Sequence, residues 1–402
     1  MIQIEQVRVI DPTIDRDEIT TVTIDQGKLV ENIGGAEAID GRGLILGPGL
    51  VDLYSHCGEP GFEERETIAS LTNSAFAGGF SRVMVLPSTQ PALDNPASLL
   101  WFQQQGSGVL KPWAALTQAG EKLTEVGEIA AQGIAVGFTD GKAIANLSLL
   151  RRLLEYMQPL KMPIALWPND VSMTGAGLAR EGTLALRYGL PGIPSFVETA
   201  PLAAILELVR EIGTPVHLMR ISTARSVALL QAAKAEGLPI TASTTWLHLL
   251  YETKDLADYS PSLRLSPPVG NAGDRAALIE AVKTGVIDAI AIDHSAYTYE
   301  EKTVAFGEAP LGALGLELAL PMLWQGLVET GHLTALELWR SLSPNPARCL
   351  NQTPGTLAVG ATELTLFDPR EVWKVDRLAS LSQNTDLWGR SIQGRVKDHR
   401  AF

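Results

Sequence analysis

A chain of 402 residues, 46% hydrophobic and 19% charged, can bury a sizeable core, as one enzyme-sized domain with a smaller appendage or as two domains. Its formal net charge of −13 argues against a nucleic-acid partner, because binding a phosphate backbone needs a basic footprint. The two cysteines, Cys57 and Cys349, lie far apart and form no short metal-binding motif, which argues against structural disulfides.

The N-terminal run MIQIEQVRVIDPTIDRD lacks the basic start and long apolar stretch of a secretory signal. No apolar run reaches the roughly 18 residues of a membrane span, so a cytoplasmic protein without a membrane span is expected. Along the chain, IQIEQVRVI, TTVTID and KLVENIG read as short strands separated by polar turns. TLAVG, ELTLFD and SIQGRVKD near the other end read the same way. Chain ends are often close in space, so residues 1–48 and 351–402 are expected to build one small β domain, flanking a central domain over 49–350.

Within that central segment eight apolar runs recur with helix-length material between them: GLVDLYSH, SRVMVLPS, KPWAALTQ, GIAVGFTD, MPIALWPN, TPVHLMRI, PITASTTW and DAIAIDHS. Near-continuous Ala, Val, Ile and Leu suits strands covered on both faces. ETIASLTNSAFAGG, PLAAILELVREIG, TARSVALLQAAKAEG and DRAALIEAVKTG carry apolar residues at helical spacing. The alternation predicts an α/β protein with a closed (β/α)8 barrel, a three-layer sandwich being the structural alternative. In a barrel, chemistry belongs at the C-terminal strand ends, which here are His56, Pro87, Thr117, Asp140, Trp167, Arg220, Thr245 and Asp293. His294 follows Asp293, but neighbouring strand residues need not share a cavity.

The segment GLVDLYSHCGEPG at 49–61 resembles the GxxDxHxHxREPG opening of the dihydroorotase branch of the amidohydrolase superfamily. VLPSTQPALDN, GFTDGK, GLPGIP, ISTARSV, IDHSAYTYEEK and LGLELALP carry the same resemblance, so nearly the whole chain is similar to a type I dihydroorotase. The resemblance implies a TIM-like barrel, a metal centre and hydrolysis of a cyclic amide. Residue by residue, however, it implies a degenerate member. Of the paired histidines of the first strand only His56 remains, and Tyr54 stands in place of the other. Trp167 replaces the histidine of the fifth strand, and Arg220 that of the sixth. Asp140 is the remaining aspartate near the fourth strand. Asp293 matches the aspartate that moves a proton between metal-bound water and the leaving nitrogen. The arginine and asparagine that clamp the substrate carboxylate are replaced by Gly58 and Ser88, and Ser266 and Gly270 alter a later Asn-Pro-Pro-Leu-Arg pattern.

A catalytic zinc needs about three protein ligands and an open water position, and neither an indole nor a guanidinium supplies a lone pair. The expectation is therefore no resident metal, with His56, Asp140 and Asp293 as residual ligand candidates and zinc only if the site still works. Arg220 is expected to replace the missing cation by pairing with Asp140 or Asp293. Tyr54 and Trp167 are expected to fill the former site, leaving an apolar pocket or none. His217, His248 and His294 read as hydrogen-bonded packing residues. Asp293 would then be idle. Some members of this family assist aspartate carbamoyltransferase without catalysis, so the resemblance implies a structural or regulatory partner of that enzyme, with self-association also expected. The alternatives are a divergent cyclic amidohydrolase and a small-molecule binder without turnover.

Overall fold

The computed structural model describes residues 1–31 and 35–397. Asn32, Ile33 and Gly34 of the KLVENIG run, Asp398 and His399 lie outside the described residues. Both chain ends enter one seven-stranded sheet. Leu364–Lys374 runs antiparallel to Ile45–Pro48 and to Ser391–Lys397, while Ile45–Pro48 pairs parallel with Ile2–Asp11. Ile4, Val7, Val9, Ile24, Leu46 and Leu366 are buried together on this sheet. TLAVG differs from expectation and forms no strand. Gly360 takes a φ of 93°, which breaks an extended run, and the segment instead grips Leu29 through Leu29 N to Ala361 O and Gly360 N to Leu29 O.

The central segment closes into a parallel barrel. Leu50–Ser55, Phe80–Val85 and Leu110–Pro112 pair in order, and Ala165–Leu166, Val216–Leu218, Ile240–Thr245 and Ala289–Ala291 form a second run. The fourth run, GIAVGFTD, contributes only Phe138, which bridges to Ala114 on one side and Ile164 on the other. Gly137 beside it permits this close approach, since a Cβ there would lie 2.4 Å from Pro163 O. The last strand returns to the first through Asp293 N to Tyr54 O at 3.0 Å and His56 N to His294 O at 2.8 Å. Those bonds close the ring and exclude the open sandwich. Asp52 reinforces the seam: fully buried, it accepts from Ser55 Oγ and from Ile292 N, and burial raises its pKa to about 7.

All four expected helices form: Ile68–Ala77, Phe196–Ile212, Ala224–Ala235 and Ala272–Thr284. The second begins before PLAAILELVREIG and carries Pro201 inside, losing one backbone hydrogen bond to gain an extra turn of buried contact from Val197 and Glu198. Inside the barrel, Val51, Leu53, Met84, Trp113, Ala165, Met219, Ala289 and Ala291 pack as a separate core layer.

Candidate functional site

Arg220 ends the sixth barrel strand and Asp293 the eighth. Both have left-handed backbone, with φ of 56° and 54°, a conformation that costs a non-glycine residue about 1–3 kcal/mol unless its surroundings hold it. Their side chains supply the holding force. Arg220 Nε and Nη2 donate to the two Asp293 oxygens at 2.8 and 2.6 Å, and Nη1 donates to Gly141 O at 2.8 Å. The guanidinium also lies 4.8 Å from the Trp167 ring centre and 5.4 Å from that of Tyr54. Burial alone would raise the Asp293 carboxyl, but the charge and hydrogen bonds of Arg220 hold it below the usual carboxylate range. Burial works against the Arg220 cation too, and Asp293 more than restores it.

The other candidates disperse. His56 Nδ1 bonds Ser88 Oγ at 2.8 Å, while its Nε2 stands 3.9 Å from Asp293. Burial lowers the His56 pKa to about 4, with Asp293 opposing and Arg220 reinforcing. Asp140 turns away from the mouth and accepts from Leu116 N, Thr117 N and Thr117 Oγ1. The expected choice of partner for Arg220 thus resolves to Asp293 and not Asp140, because the amides of the third strand end already saturate Asp140. His294 points the other way from Asp293: its Nε2 meets buried Glu66, and its Nδ1 accepts from Gly315 N.

Tyr54 is fully buried. Arg220 N donates to its hydroxyl at 3.1 Å, which leaves the tyrosine proton for Ser243 Oγ at 3.0 Å. Ser243 in turn meets His217 Nε2 at 2.8 Å, and His217 Nδ1 meets Thr241 Oγ1 at 2.9 Å. With the amide donating to its oxygen, Tyr54 has its own proton to give to Ser243, whose hydroxyl meets His217 Nε2 as donor or acceptor according to the imidazole tautomer. Burial lowers the His217 pKa to about 3, which keeps the imidazole neutral. Sequence reading missed the chain. Its signal was the alternation Thr241, Ser243, Thr245 in a strand whose inward positions ought to be apolar.

A cavity of about 180 Å3 remains at the mouth, lined by Trp167, Arg220, His248, Ser266, Asp293 and Tyr297 among others. Its lining mixes apolar Trp167, Leu247, Leu265, Ile292 and Leu311 with polar His56, Arg220, His248 and Asp293, and Arg220 is held against the indole instead of being displaced by it. At that volume it falls short of the roughly 300–1,000 Å3 typical of ligand clefts. His248 is held by Thr245 Oγ1 and Pro267 O. Gly58 is a structural requirement: a Cβ there would lie 2.3 Å from Phe62 O and 2.4 Å from Glu66 O. The loop back to Glu66 thus fills the space into which an arginine would extend.

These residues do not fit a metal. Both Asp293 oxygens are taken by a guanidinium whose charge repels a cation, Tyr54 is committed to Ser243, and Trp167 has no lone pair to offer. Among the described residues no group of three His, Cys, Asp or Glu is arranged to hold a metal ion.

The sequence of a probable dihydroorotase-like protein from Synechocystis sp. is 44% identical, across 97% of each chain. The chain belongs to the dihydroorotase-like family. The dihydro-orotase-like family model matches residues 43–226. A dihydroorotase of Pelotomaculum thermopropionicum is 37% identical over 96% of this chain and 93% of its own. Among solved structures, the L-hydantoinase (dihydropyrimidinase) of Arthrobacter aurescens superposes with a TM-score of 0.85 at 21% identity, covering 98% of this chain and 93% of that one. That likeness is one of fold. In this dihydroorotase-like chain, no helix among the described residues is long and apolar enough to cross a membrane.

Proposed function

We propose that this dihydroorotase-like protein is catalytically silent and acts in the cytoplasm as a structural or regulatory partner of aspartate carbamoyltransferase in pyrimidine biosynthesis, assembling as an oligomer. The observation that carries the loss of catalysis is the bidentate Arg220–Asp293 pair. Asp293 is the residue that would shuttle a proton, and a carboxylate held ionised with both oxygens taken by charge-assisted hydrogen bonds is a poor acid. The filled space at Gly58 supports the same reading on the substrate side. The family resemblance alone supports the carbamoyltransferase.

Elemental analysis of protein purified without a metal-affinity tag tests the reading, together with dihydroorotate turnover and sedimentation with aspartate carbamoyltransferase. Metal below about one tenth of an atom per chain, no turnover and a co-sedimenting complex are expected. Near-stoichiometric zinc with turnover would install the divergent amidohydrolase reading in its place. Two species sedimenting independently would remove the carbamoyltransferase partner.

A further inference from the structure

The opposite end of the barrel, beneath the N-terminal ends of the fifth to seventh strands, holds a cavity of about 610 Å3. That is well within the range of small-molecule clefts, roughly 300–1,000 Å3, and larger than the mouth. Met157, Met162, Pro163, Pro215, Leu238 and Pro239 supply apolar lining, and His217, Thr241 and Cys349 also line it. Lys161 and Arg348, both exposed, also belong to the lining. Arg348 donates to the neutral Asn345 side chain, and neither cation has an ion-pair partner among the described residues. Among the described residues no acidic side chain lines the cavity, in a chain whose net charge is −13.

We propose that this cavity binds an apolar monocarboxylate, its hydrocarbon body against the methionine, proline and leucine lining and its carboxylate paired with Lys161 and Arg348. The charge pattern selects the ligand. In an acidic protein, two unpaired cations beside an apolar hollow form a local positive field, which favours an anion with a greasy body over a neutral hydrocarbon or a cation. Burial of the apolar part supplies most of the affinity, and the exposed cations supply discrimination. The site is independent of the silent mouth, so either reading stands if the other fails.

Octanoate and 1-octanol, which share a chain length and differ in charge, are titrated calorimetrically into the full-length protein. Octanoate is expected to bind one site per chain, roughly five-fold more tightly than octanol, the discrimination two partly exposed cations provide. K161A/R348A should remove that preference while leaving octanol binding unchanged, and Leu238→Trp, which fills the hollow, should weaken both. Cys349 is a buried free thiol in the lining, whereas Cys57 lies beside His56 at the other end. Octanoate should therefore slow modification of Cys349 by methyl methanethiosulfonate and leave Cys57 unaffected. Absence of binding, equal affinity for octanol, a preference that survives K161A/R348A, or an unprotected Cys349 would each overturn the proposal.

Discussion

Arg220 and Asp293 sit at the ends of two barrel strands that are not neighbours, each with left-handed backbone, and each side chain closes two hydrogen bonds on the other. Arg220 is buried and Asp293 half-buried, with side-chain exposures of 5% and 19%. A buried pair contributes little net stability compared with apolar replacements, yet breaking it from one side is costly, because the survivor keeps an uncompensated charge.

Arg220→Ala should therefore destabilise the fold by about 3–5 kcal/mol in urea unfolding, whereas the double change R220M/D293N should cost much less. Asparagine tolerates the left-handed backbone at 293. If the double variant were as unstable as the single one, the stranded-charge account would be wrong.

Restoring imidazoles at the three altered positions, in Y54H/W167H/R220H, should raise zinc content from background to about one atom per chain, since His56 and Asp293 then join ligands instead of a cation. Dihydroorotate hydrolysis should nevertheless stay at background, because Gly58 has no room for an arginine. Zinc-free triple variant would mean these positions do not converge on one centre. Activity without further change would mean the carboxylate clamp is dispensable.

Tyr54→Phe removes both the acceptor for Arg220 N and the donor to Ser243, so a loss of about 1–3 kcal/mol is expected in thermal unfolding. Adding Ser243→Ala should cost less than the sum of the two single changes, because both belong to one hydrogen-bonded chain. Strict additivity would show that the chain is not a unit.

Acid should unfold the protein through its buried imidazoles. His217 and His248 titrate near 3 and 4 in the folded state, both lowered first by burial, against an ordinary value of 6.5. Between those values the unfolded chain binds more protons than the folded one, so stability rises with pH across that window and falls on acidification below about 6.5. At pH 5 each histidine should have removed about 2 kcal/mol, and replacing His217 with Gln should flatten the profile of unfolding free energy against pH. An unchanged slope in that variant would locate the acid sensitivity elsewhere.

Much of the architecture was legible because strand and helix periods alternate cleanly along the chain. The barrel, the sheet shared by the termini and the absent imidazoles at 54, 167 and 220 all follow from residues taken in order. What the sequence did not reveal depends on direction. Asp140 and Asp293 look alike as strand-end carboxylates, and only the amides of Leu116 and Thr117 turn one of them away. Gly58 reads as a lost arginine, while its second reason, the carbonyls of Phe62 and Glu66 pressed against it, exists only in three dimensions. His217 and Ser243 appear ordinary one at a time and become a relay only when two strands lie side by side.

The shared sheet also imposes an order on synthesis. Ile45–Pro48 is made early and finds its antiparallel neighbour only in Leu364–Phe367, after almost the entire barrel has left the ribosome. Until then one flank of that strand offers unsatisfied amides and carbonyls to any extended segment nearby. A nascent chain stalled before residue 364 is thus a barrel with that β flank open, suited to capture by chaperones or to pairing with another nascent copy, until Leu364–Phe367 arrives to cover it.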